Sequence, residues 1–267
     1  MVVQLVKKPE LEDTILSLSN FVEEAWRIVD VGRKEGVTLR VMGATAIKIH
    51  CPTFSSLQES LGREISDVDF MAYSSQKDEV MRLLLRLGYN FDRRSLMIMR
   101  YFNRYIFEDV ENKRHVDVFF DKLEMCHTID FKERLEVDYP TISLADLLLE
   151  KLQIIKVAEK DLKDCIVLLR EHNVGEHDEE TINIKYISNL LSKDWGFYYT
   201  VKMNLERIKN FLNSHPTLKA SDKSNILQKI SLLETEIENA PKSIRWKMRA
   251  KVGPKQKWYR EVEEVER

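Results

Sequence analysis

The chain has 267 residues, 43% hydrophobic and 32% charged with a formal net charge of −2, a composition that indicates one large globular domain or two smaller ones. The small net charge excludes a protein that is basic throughout and binds nucleic acid through its overall charge. No run reaches the roughly 18 apolar residues that a membrane helix needs, and no signal-peptide pattern opens the sequence, so we expect a cytoplasmic protein without a membrane partner.

The first half of the sequence predicts a mixture of helices and strands. Apolar residues at steps of three and four favour an amphipathic helix that ends near Gly36, and the β-branched run TLRVM favours a strand that leads into Gly43. Two β-rich runs around the polar turn ENKR predict a hairpin. In chain order, the predicted elements are a helix over 11–35, a strand over 38–42, a short helix over 44–50, a strand over 67–73, a helix that ends at Gly88, and paired strands over 101–110 and 115–121.

From residue 143 onward the pattern is helical almost without interruption. Ser143 is a suitable N-cap for a helix whose apolar residues extend to position 155. The fold class is therefore α+β, with a small mixed sheet flanked by helices over residues 1–142 and an all-helical domain over 143–267. Further helices are predicted over 183–192, 199–213, 221–239 and 242–249.

Two carboxylates one residue apart stand in the run ISDVDFMAY. Because side chains alternate along a strand, Asp67 and Asp69 share one face, while the apolar residues between and after them share the core face. The same alternation in HVDVFFD places Asp117 on the face opposite its apolar neighbours. If these two strands are neighbours in one sheet, three carboxylates meet on one surface.

Close carboxylates repel one another and raise one another's pKa, so such a cluster is costly unless a cation lies between its members. Oxygen ligands without a nearby histidine or thiolate suit Mg²⁺ or Mn²⁺ better than zinc. Two such ions clamp an in-line phosphoryl displacement. The alternative interpretation is structural, because an isolated Asp-x-Asp is common on exposed strand faces.

A glycine between a predicted strand and a predicted helix suggests a place for an anion. Gly43 lets backbone N–H groups approach a phosphate at the helix N-terminus, and Thr45 adds a hydroxyl. Such a turn is a weak signal on its own. A turn at Gly43 and Ala44, followed about 24 residues later by Asp67 and then by a strand with a central Asp117, is a much more specific combination.

This order of residues resembles the DNA polymerase β-like nucleotidyltransferase superfamily, in which a Gly-Gly or Gly-Ser turn precedes an Asp-x-Asp or Asp-x-Glu strand and a later Asp. The block GATAIKIH, followed by REISDVD from Arg63, is most similar to the bacterial and archaeal nucleotidyltransferases that include abortive-infection toxins. DLLLEKLQ and EKDLKD are similar to the later helical motifs of that group. The likeness covers roughly residues 38–170, and DWGFYYT beyond it resembles an uncharacterised branch.

The resemblance implies a nucleotidyltransferase core that binds a nucleoside triphosphate (NTP) with Mg²⁺ or Mn²⁺. Asp67, Asp69 and Asp117 would bind the metal ions, and Asp117 would also help to deprotonate an acceptor hydroxyl. Lys151 would contact the phosphates as a point charge. The residues that the resemblance implies around the nucleotide are Gly43, Ala44, Thr45, Arg63, Ser66, Lys151, Asp161 and Asp164.

Several of these residues also have a structural interpretation. Without the resemblance, Lys151 would be an exposed helix lysine, Asp161 and Asp164 would pair with neighbouring lysines, and Arg63 would be a solvated loop residue. Ala44 departs from the superfamily pattern, because it lacks the hydroxyl that a serine provides. Backbone donors would then have to bind the phosphates.

The expected function is transfer of a nucleoside monophosphate from an NTP to a hydroxyl of an RNA, a protein or a small molecule, with release of pyrophosphate. The alternative is a non-catalytic protein that keeps the fold and binds a nucleotide or a partner protein, as a toxin–antitoxin component would. The run over residues 242–260 bears on this choice, because it contains eight Lys or Arg, no acidic residue and interleaved aromatic residues. It favours RNA as a partner, unless its lysines are solvated and its tryptophans pack on the protein.

Overall fold

The computed structural model describes residues 9–63, 65–92, 103–215 and 218–262. These residues form a mixed α/β fold, in which a five-stranded mixed sheet is packed among helices. The predicted combination of a small mixed sheet with helices is confirmed. No helix in the described ranges has both the length and the apolar character to cross a membrane.

Helices and strands are interspersed up to residue 130, and the later part of the chain is mainly helical. The helices are α1 (Pro9–Lys34), α2 (Gly43–His50), α3 (Ser55–Ser60), α4 (Lys77–Arg86), α5 (Leu144–Leu152), α6 (Glu159–Glu171), α7 (Ile184–Leu191), α8 (Trp195–Ser214), α9 (Ala220–Asn239) and α10 (Ile244–Val252). The strands are β1 (Leu39–Met42), β2 (Asp67–Ala72), β3 (Asn90–Phe91), β4 (Arg104–Asp109), β5 (Arg114–Phe120), β6 (Lys122–Glu124), β7 (Thr128–Asp130), β8 (Asn173–Gly175) and β9 (Thr181–Asn183).

The five-stranded sheet has the strand order β1-β2-β5-β4-β3. β2 and β5 are parallel, and the other neighbouring strands are antiparallel. Val68, Phe70, Val116 and Val118 are fully buried, as the alternation in β2 and β5 predicts. β4 and β5 form the predicted hairpin, although residues 101 and 102 of its first predicted strand lie outside the described ranges.

The helices after residue 142 begin at polar caps. Ser143 caps α5 as predicted, because its hydroxyl accepts a hydrogen bond of 3.3 Å from the N–H of Asp146. α5 ends at Leu152, earlier than its apolar spacing predicts, and α6 starts as a separate helix. α8 starts at Trp195 rather than at residue 199, because the Asp194 carboxylate accepts from the N–H of Phe197 at 3.0 Å.

The sequence does not predict the two-stranded sheets β6-β7 and β8-β9. Each of these strands has three residues, which is too short for alternation to be recognised. The buried apolar side chains of the five-stranded sheet and of helices α5 to α9 belong to one hydrophobic cluster. The elements before and after residue 142 are therefore packed against each other.

Candidate metal and nucleotide site

The three carboxylates of the predicted metal site lie on adjacent strands. β2 begins at Asp67, and its parallel pairing with β5 places the Cα atom of Asp69 opposite that of Asp117. On the other side of β2, Met42 at the end of β1 is opposite Asp69. Asp67, Asp69 and Asp117 all line one cavity, so the structure brings the three predicted residues together.

The carboxylate of Asp69 is surrounded by negative charge. Burial raises its pKa well above the ordinary value, and the carboxylates of Asp67, Asp117 and Glu150 raise the pKa further, whereas the guanidinium of Arg104 lowers it. A cation near these oxygens would relieve the repulsion. The electrostatics of the cluster therefore favour a positively charged ligand.

Arg104 on β4 provides one positive charge at this cluster. Its Nη2 donates to Oδ2 of Asp117, and both side chains are largely buried. The guanidinium carbon of Arg104 also lies 4.9 Å from the centre of the Phe119 ring. Sequence reasoning missed Arg104, because the predicted turn ENKR pairs it with Asp121, whereas the observed register places it opposite Phe119.

Gly43 is the first residue of α2, directly after β1, and is in close contact with Asp69. Its φ angle is +71°, and a Cβ atom added to it would lie 2.7 Å from Oδ2 of Asp69. The backbone N–H of Gly43 donates a buried hydrogen bond of 3.1 Å to Oε2 of Glu150. A side chain at this position would therefore both strain the backbone and displace a carboxylate of the cluster.

Glu150 on α5 is a second residue that the sequence did not indicate. Its pKa is raised by burial and by the carboxylates of Asp161 and Asp164, while the ammonium of Lys151 and the N–H of Gly43 lower it. α5 is buried along its whole length, so its periodicity shows no exposed face from which an inward carboxylate could be recognised. Glu150 links this helix to the turn at the end of β1.

The other small residues of the predicted phosphate-binding region have different surroundings. Thr45 is buried, and its hydroxyl donates to the backbone carbonyl of Asp67 at 3.1 Å. Ala44 and Ser66 line the cavity, and Ser66 is exposed. In this structure Thr45 supports the start of β2, whereas Ala44 and Ser66 are placed where a ligand would contact them.

Lys151 lies in a buried network of charged side chains. Its Nζ is 3.5 Å from Glu150 Oε1, 3.6 Å from Asp161 Oδ1 and 3.4 Å from Asp164 Oδ2. Burial lowers the pKa of Lys151, but the three carboxylates outweigh burial and raise the pKa above its ordinary value. Arg63 donates to Asp164 through Nε at 2.9 Å and Nη2 at 3.1 Å. The network joins five residues from α5, α6 and the segment before β2.

These groups surround a cavity of about 950 Å³. This volume is within the range of sites that bind small molecules and cofactors. Carboxylates, cations and apolar side chains all contribute to its lining. The lining residues are Met42, Ala44, Arg63, Ser66, Asp67, Asp69, Arg104, Asp117, Phe119, Leu123, Met125, Cys126, Glu150, Lys151, Ile154, Ile155, Lys156, Ala158, Lys160, Asp161, Tyr259, Arg260, Glu261 and Val262.

The chemistry of the donor set fits Mg²⁺ or Mn²⁺, because Asp67, Asp69 and Asp117 offer hard oxygen ligands. Burial first, and the neighbouring carboxylates second, raise the pKa of Asp69, and a cation would offset both effects. As the side chains stand, no group of three or more His, Cys, Asp or Glu within the described ranges is arranged to hold a metal ion. The Arg104 guanidinium on Asp117 provides part of the neutralising charge. A metal ion bound by all three carboxylates would therefore share Asp117 with the Arg104 guanidinium.

The run over residues 242–260 is partly packed on the protein. The indole N–H of Trp246 donates to the carbonyl of Leu191 at 3.1 Å, and that of Trp258 donates to the hydroxyl of Thr200 at 3.1 Å. The exposed cations of the run are Arg245, Lys247, Lys251, Lys255, Lys257 and Arg260. Its tryptophans thus belong to the fold, while most of its cations face the solvent.

No protein-family model matches the chain, and no curated protein matches it at a significant level. The resemblance to nucleotidyltransferases therefore stays a prediction from the motif residues around Gly43, Asp67 and Asp117.

Proposed function

We propose that the chain is a metal-dependent nucleotidyltransferase that moves a nucleoside monophosphate from an NTP to an acceptor hydroxyl. The observation that carries this proposal is the meeting of Asp69 with Asp117 in the β2-β5 register, directly beside the Gly43 turn. The cavity at this meeting point also has the volume and the mixed lining that a nucleotide requires. These groups come from distant parts of the sequence, and the proposed reaction gives them a common role.

The reaction is an in-line displacement at the α-phosphorus of the NTP. The acceptor oxygen forms a bond to this phosphorus, the bond to the oxygen that bridges to the β-phosphorus breaks, and pyrophosphate leaves with the electron pair. The acceptor proton passes to a carboxylate, a role that the resemblance assigns to Asp117. Asp67, Asp69 and Asp117 would hold the divalent metal, which when bound supplies positive charge to the phosphates.

Other residues of the cavity would position the substrate. Lys151 and Lys160 line the cavity and carry positive charge toward the phosphates. Arg63 holds Asp164 by two hydrogen bonds, and Asp164 in turn lies near Lys151, so Arg63 positions the lysine rather than the substrate. Most of the catalytic effect would come from orientation and charge neutralisation in a partly enclosed site.

RNA is the acceptor that the surface charge favours. The cations at 242–260 are mostly exposed, and Arg260 at the end of this run also lines the cavity. A polyanion bound along these residues would reach the mouth of the candidate site. Protein side chains and small-molecule hydroxyls are the other acceptor classes to be tested.

A non-catalytic nucleotide-binding or partner-binding role is the second candidate. The observation that favours it is the ion pair between Arg104 and Asp117, in which a protein cation lies on a carboxylate that the enzyme needs for metal. The N–H of Gly43 is likewise bonded to Glu150 rather than free to bind a phosphate. Under this hypothesis an NTP binds, but no bond of the NTP breaks.

The decisive experiment measures binding and transfer on the same samples. The wild type, Asp67→Asn and Asp69→Asn are incubated with each α-labelled NTP and Mg²⁺ or Mn²⁺, with cellular RNA, protein extract or small-molecule hydroxyl compounds as acceptors. Asp130→Asn is the control, because Asp130 lies on β7 in an exposed pair with Lys122. We expect label transfer by the wild type and the control, and a loss of at least about 100-fold in both site variants.

The two candidate functions give different results in this experiment. Binding of Mg-NTP without transfer to any acceptor would favour the non-catalytic role. If the wild type neither binds an NTP nor transfers label, the enzyme proposal is wrong. Equal transfer by Asp69→Asn and the wild type would place the catalytic centre elsewhere.

A further inference from the structure

Residues Trp258–Val262, here named the strap, form part of the cavity wall. Tyr259, Arg260, Glu261 and Val262 line the cavity together with residues from the sheet and from α5 and α6. The strap is more than 200 positions away in sequence from the Gly43 turn. Tyr259 and Arg260 belong to the basic run over 242–260, and the structure places them at the candidate site.

The strap is fixed by hydrogen bonds on both sides of Tyr259. Before Tyr259, the indole N–H of Trp258 donates to the hydroxyl of Thr200 at 3.1 Å. After Tyr259, the backbone N–H of Arg260 donates to the carbonyl of Cys126 at 3.0 Å, and its Nη2 donates to the hydroxyl of Thr128 at 2.7 Å. Backbone and side-chain bonds together therefore hold the position of the residue between the two anchors.

Close backbone packing adds to this fixation. A Cβ atom at Gly196 on α8 would lie 2.6 Å from the carbonyl oxygen of Trp258, so the strap approaches the helix where only glycine fits. The ring of Trp258 also makes an edge contact with Tyr199, with ring centres 5.0 Å apart. The strap is thus part of the folded body at this point.

Tyr259 adds an aromatic side chain to the wall of the cavity. The ring is partly buried and shares the wall with Phe119, Ile154 and Ile155. It makes an edge contact with the ring of Trp258, with centres 5.2 Å apart. This anchored, partly exposed ring has the chemistry of a stacking surface for a heterocyclic base.

Among the described residues of the cavity wall, Phe119 is the other aromatic one, and a cation already lies over its ring. The guanidinium of Arg104 lies over it at 4.9 Å, and Arg104 is held there by Asp117. Lys257 lies over the ring of Tyr259 at 5.4 Å, but its side chain is 52% exposed and pairs with Glu261 at the surface. A base can therefore displace Lys257 from Tyr259 more easily than Arg104 from Phe119.

We propose that the ring of Tyr259 stacks on the base of the bound NTP, and that the strap holds the ring in place for this contact. This inference rests on the proposed function, because it assigns the base to the wall at Tyr259 and the triphosphate to the part near Gly43 and Lys151. Stacking on an aromatic face tolerates every base, so Tyr259 contributes affinity rather than a choice among the four NTPs.

The test compares binding of a complete NTP with binding of inorganic triphosphate. Dissociation constants of Mg-ATP, Mg-GTP, Mg-CTP, Mg-UTP and Mg-triphosphate are measured by calorimetry for the wild type, Tyr259→Ala and Tyr259→Phe. We expect Tyr259→Ala to weaken every NTP about tenfold and Tyr259→Phe to stay within about twofold of the wild type. Triphosphate affinity should be unchanged in both variants, because it contains no base.

Trp26→Ala is the matched control, because Trp26 on α1 is a partly exposed aromatic residue outside the cavity lining. NTP affinities of Tyr259→Ala equal to those of the wild type would overturn the inference and leave the proposed function standing. An equal loss of NTP and triphosphate affinity would also overturn it, since the strap would then act on the whole cavity. If the wild type binds no NTP, both the proposed function and this inference are wrong.

Discussion

Asp69 on β2 lies directly opposite Asp117 on β5, so two carboxylates occupy neighbouring positions on the same face of a parallel strand pair. Like charges in such positions destabilise a sheet by up to about 1 kcal/mol. This pair of carboxylates lies beside Gly43 and lines the cavity. The Arg104 guanidinium neutralises part of the negative charge of the pair. Buried carboxylates with a raised pKa in a cleft are typical of functional sites.

Asp69→Asn is expected to stabilise the protein, while the proposed nucleotide transfer falls by at least about 100-fold. The pKa of Asp69 in the folded state is raised above the ordinary value of 3.8, so below pH 3.8 both states are protonated and the folded state incurs no cost. Above pH 3.8 the unfolded chain loses the proton more readily, and stability falls as pH rises toward the folded-state pKa. Asparagine does not ionise, so this loss of stability is absent from the variant. We expect the free energy of unfolding to rise by up to about 1 kcal/mol at pH 7 in metal-free buffer.

Thermal unfolding of both proteins at pH 4 and pH 7 measures this effect. The melting temperature of Asp69→Asn should exceed that of the wild type by about 2 to 4 °C at pH 7 and by less at pH 4. Asp130→Asn is the control, because its hydrogen bonds lower the pKa of Asp130 despite partial burial, and no gain is expected. A lower melting temperature for Asp69→Asn at pH 7 would contradict the repulsion that the structure indicates.

Gly43→Ala is expected to impair both folding and the candidate site. The φ angle of +71° costs an alanine about 1 to 2 kcal/mol, and the new methyl group would lie 2.7 Å from Oδ2 of Asp69. Gly36→Ala is the matched control, because Gly36 has a φ of +76° and nothing within 4 Å of an added Cβ atom. Urea unfolding should show a larger loss of unfolding free energy for Gly43→Ala than for Gly36→Ala. Only Gly43→Ala should weaken nucleotide binding.

Lys151→Met is expected to destabilise the fold severely. Lys151 is 3.4 to 3.6 Å from three carboxylates, all of them buried, and its removal leaves Arg63 as the remaining cation of this network. Breaking a buried ion pair by removing one partner costs about 3 to 5 kcal/mol. Lys160→Met is the control, because Lys160 is exposed and should change the free energy of unfolding by less than about 0.5 kcal/mol. A similar loss of unfolding free energy in Lys151→Met and Lys160→Met would show that the network does not stabilise the fold.

His127 is expected to make stability depend on pH below neutrality. Burial lowers the pKa of His127 from 6.5 to about 4, and the ring stacks on Phe197 and bonds to the Thr200 hydroxyl at 2.8 Å. Well above pH 6.5 His127 is unprotonated in both the folded and the unfolded state, so it does not lower the free energy of unfolding. Between pH 6.5 and about 4 the unfolded chain takes up a proton that the folded chain does not, so the free energy of unfolding falls by about 3 kcal/mol.

Urea unfolding at several pH values between 7.5 and 4.5 separates this contribution from that of other groups. His127→Gln keeps a polar side chain near Thr200 but does not titrate, so its stability should fall less steeply than that of the wild type. Parallel pH profiles for the two proteins would show that His127 is not the buried neutral histidine of this structure.

The alternation of polar and apolar residues predicted the faces of β2 and β5, but it did not predict their register. A parallel pair with 47 residues between Asp69 and Asp117 could slip by two positions and still keep Val68 and Val116 buried. The contact of Gly43 with Asp69 depends on the same pairing and on β1. The convergence of the site was therefore a hypothesis in the sequence and is an observation in the structure.

The sequence did not indicate two residues of the cavity wall, because the local pattern around each of them is dominated by another feature. Glu150 lies on a helix that is buried on all sides, so hydrophobic periodicity cannot show which of its polar residues faces the site. Tyr259 lies in a run whose positive charge dominates its pattern, and its position depends on hydrogen bonds to Thr200 and Cys126. The spacing of residues in the sequence does not predict such tertiary contacts.

The hydrogen bond from Gly43 to Glu150 joins residues 107 positions apart, and the ion pair from Arg63 to Asp164 joins residues 101 positions apart. Contacts between such distant residues slow folding, because the intervening chain loses its freedom before the contact is made. During synthesis, the Gly43 turn and the carboxylates of β2 leave the ribosome long before α5 and α6. A chain interrupted at residue 142 would carry Asp67, Asp69 and Asp117 without the groups that hold their surroundings in place.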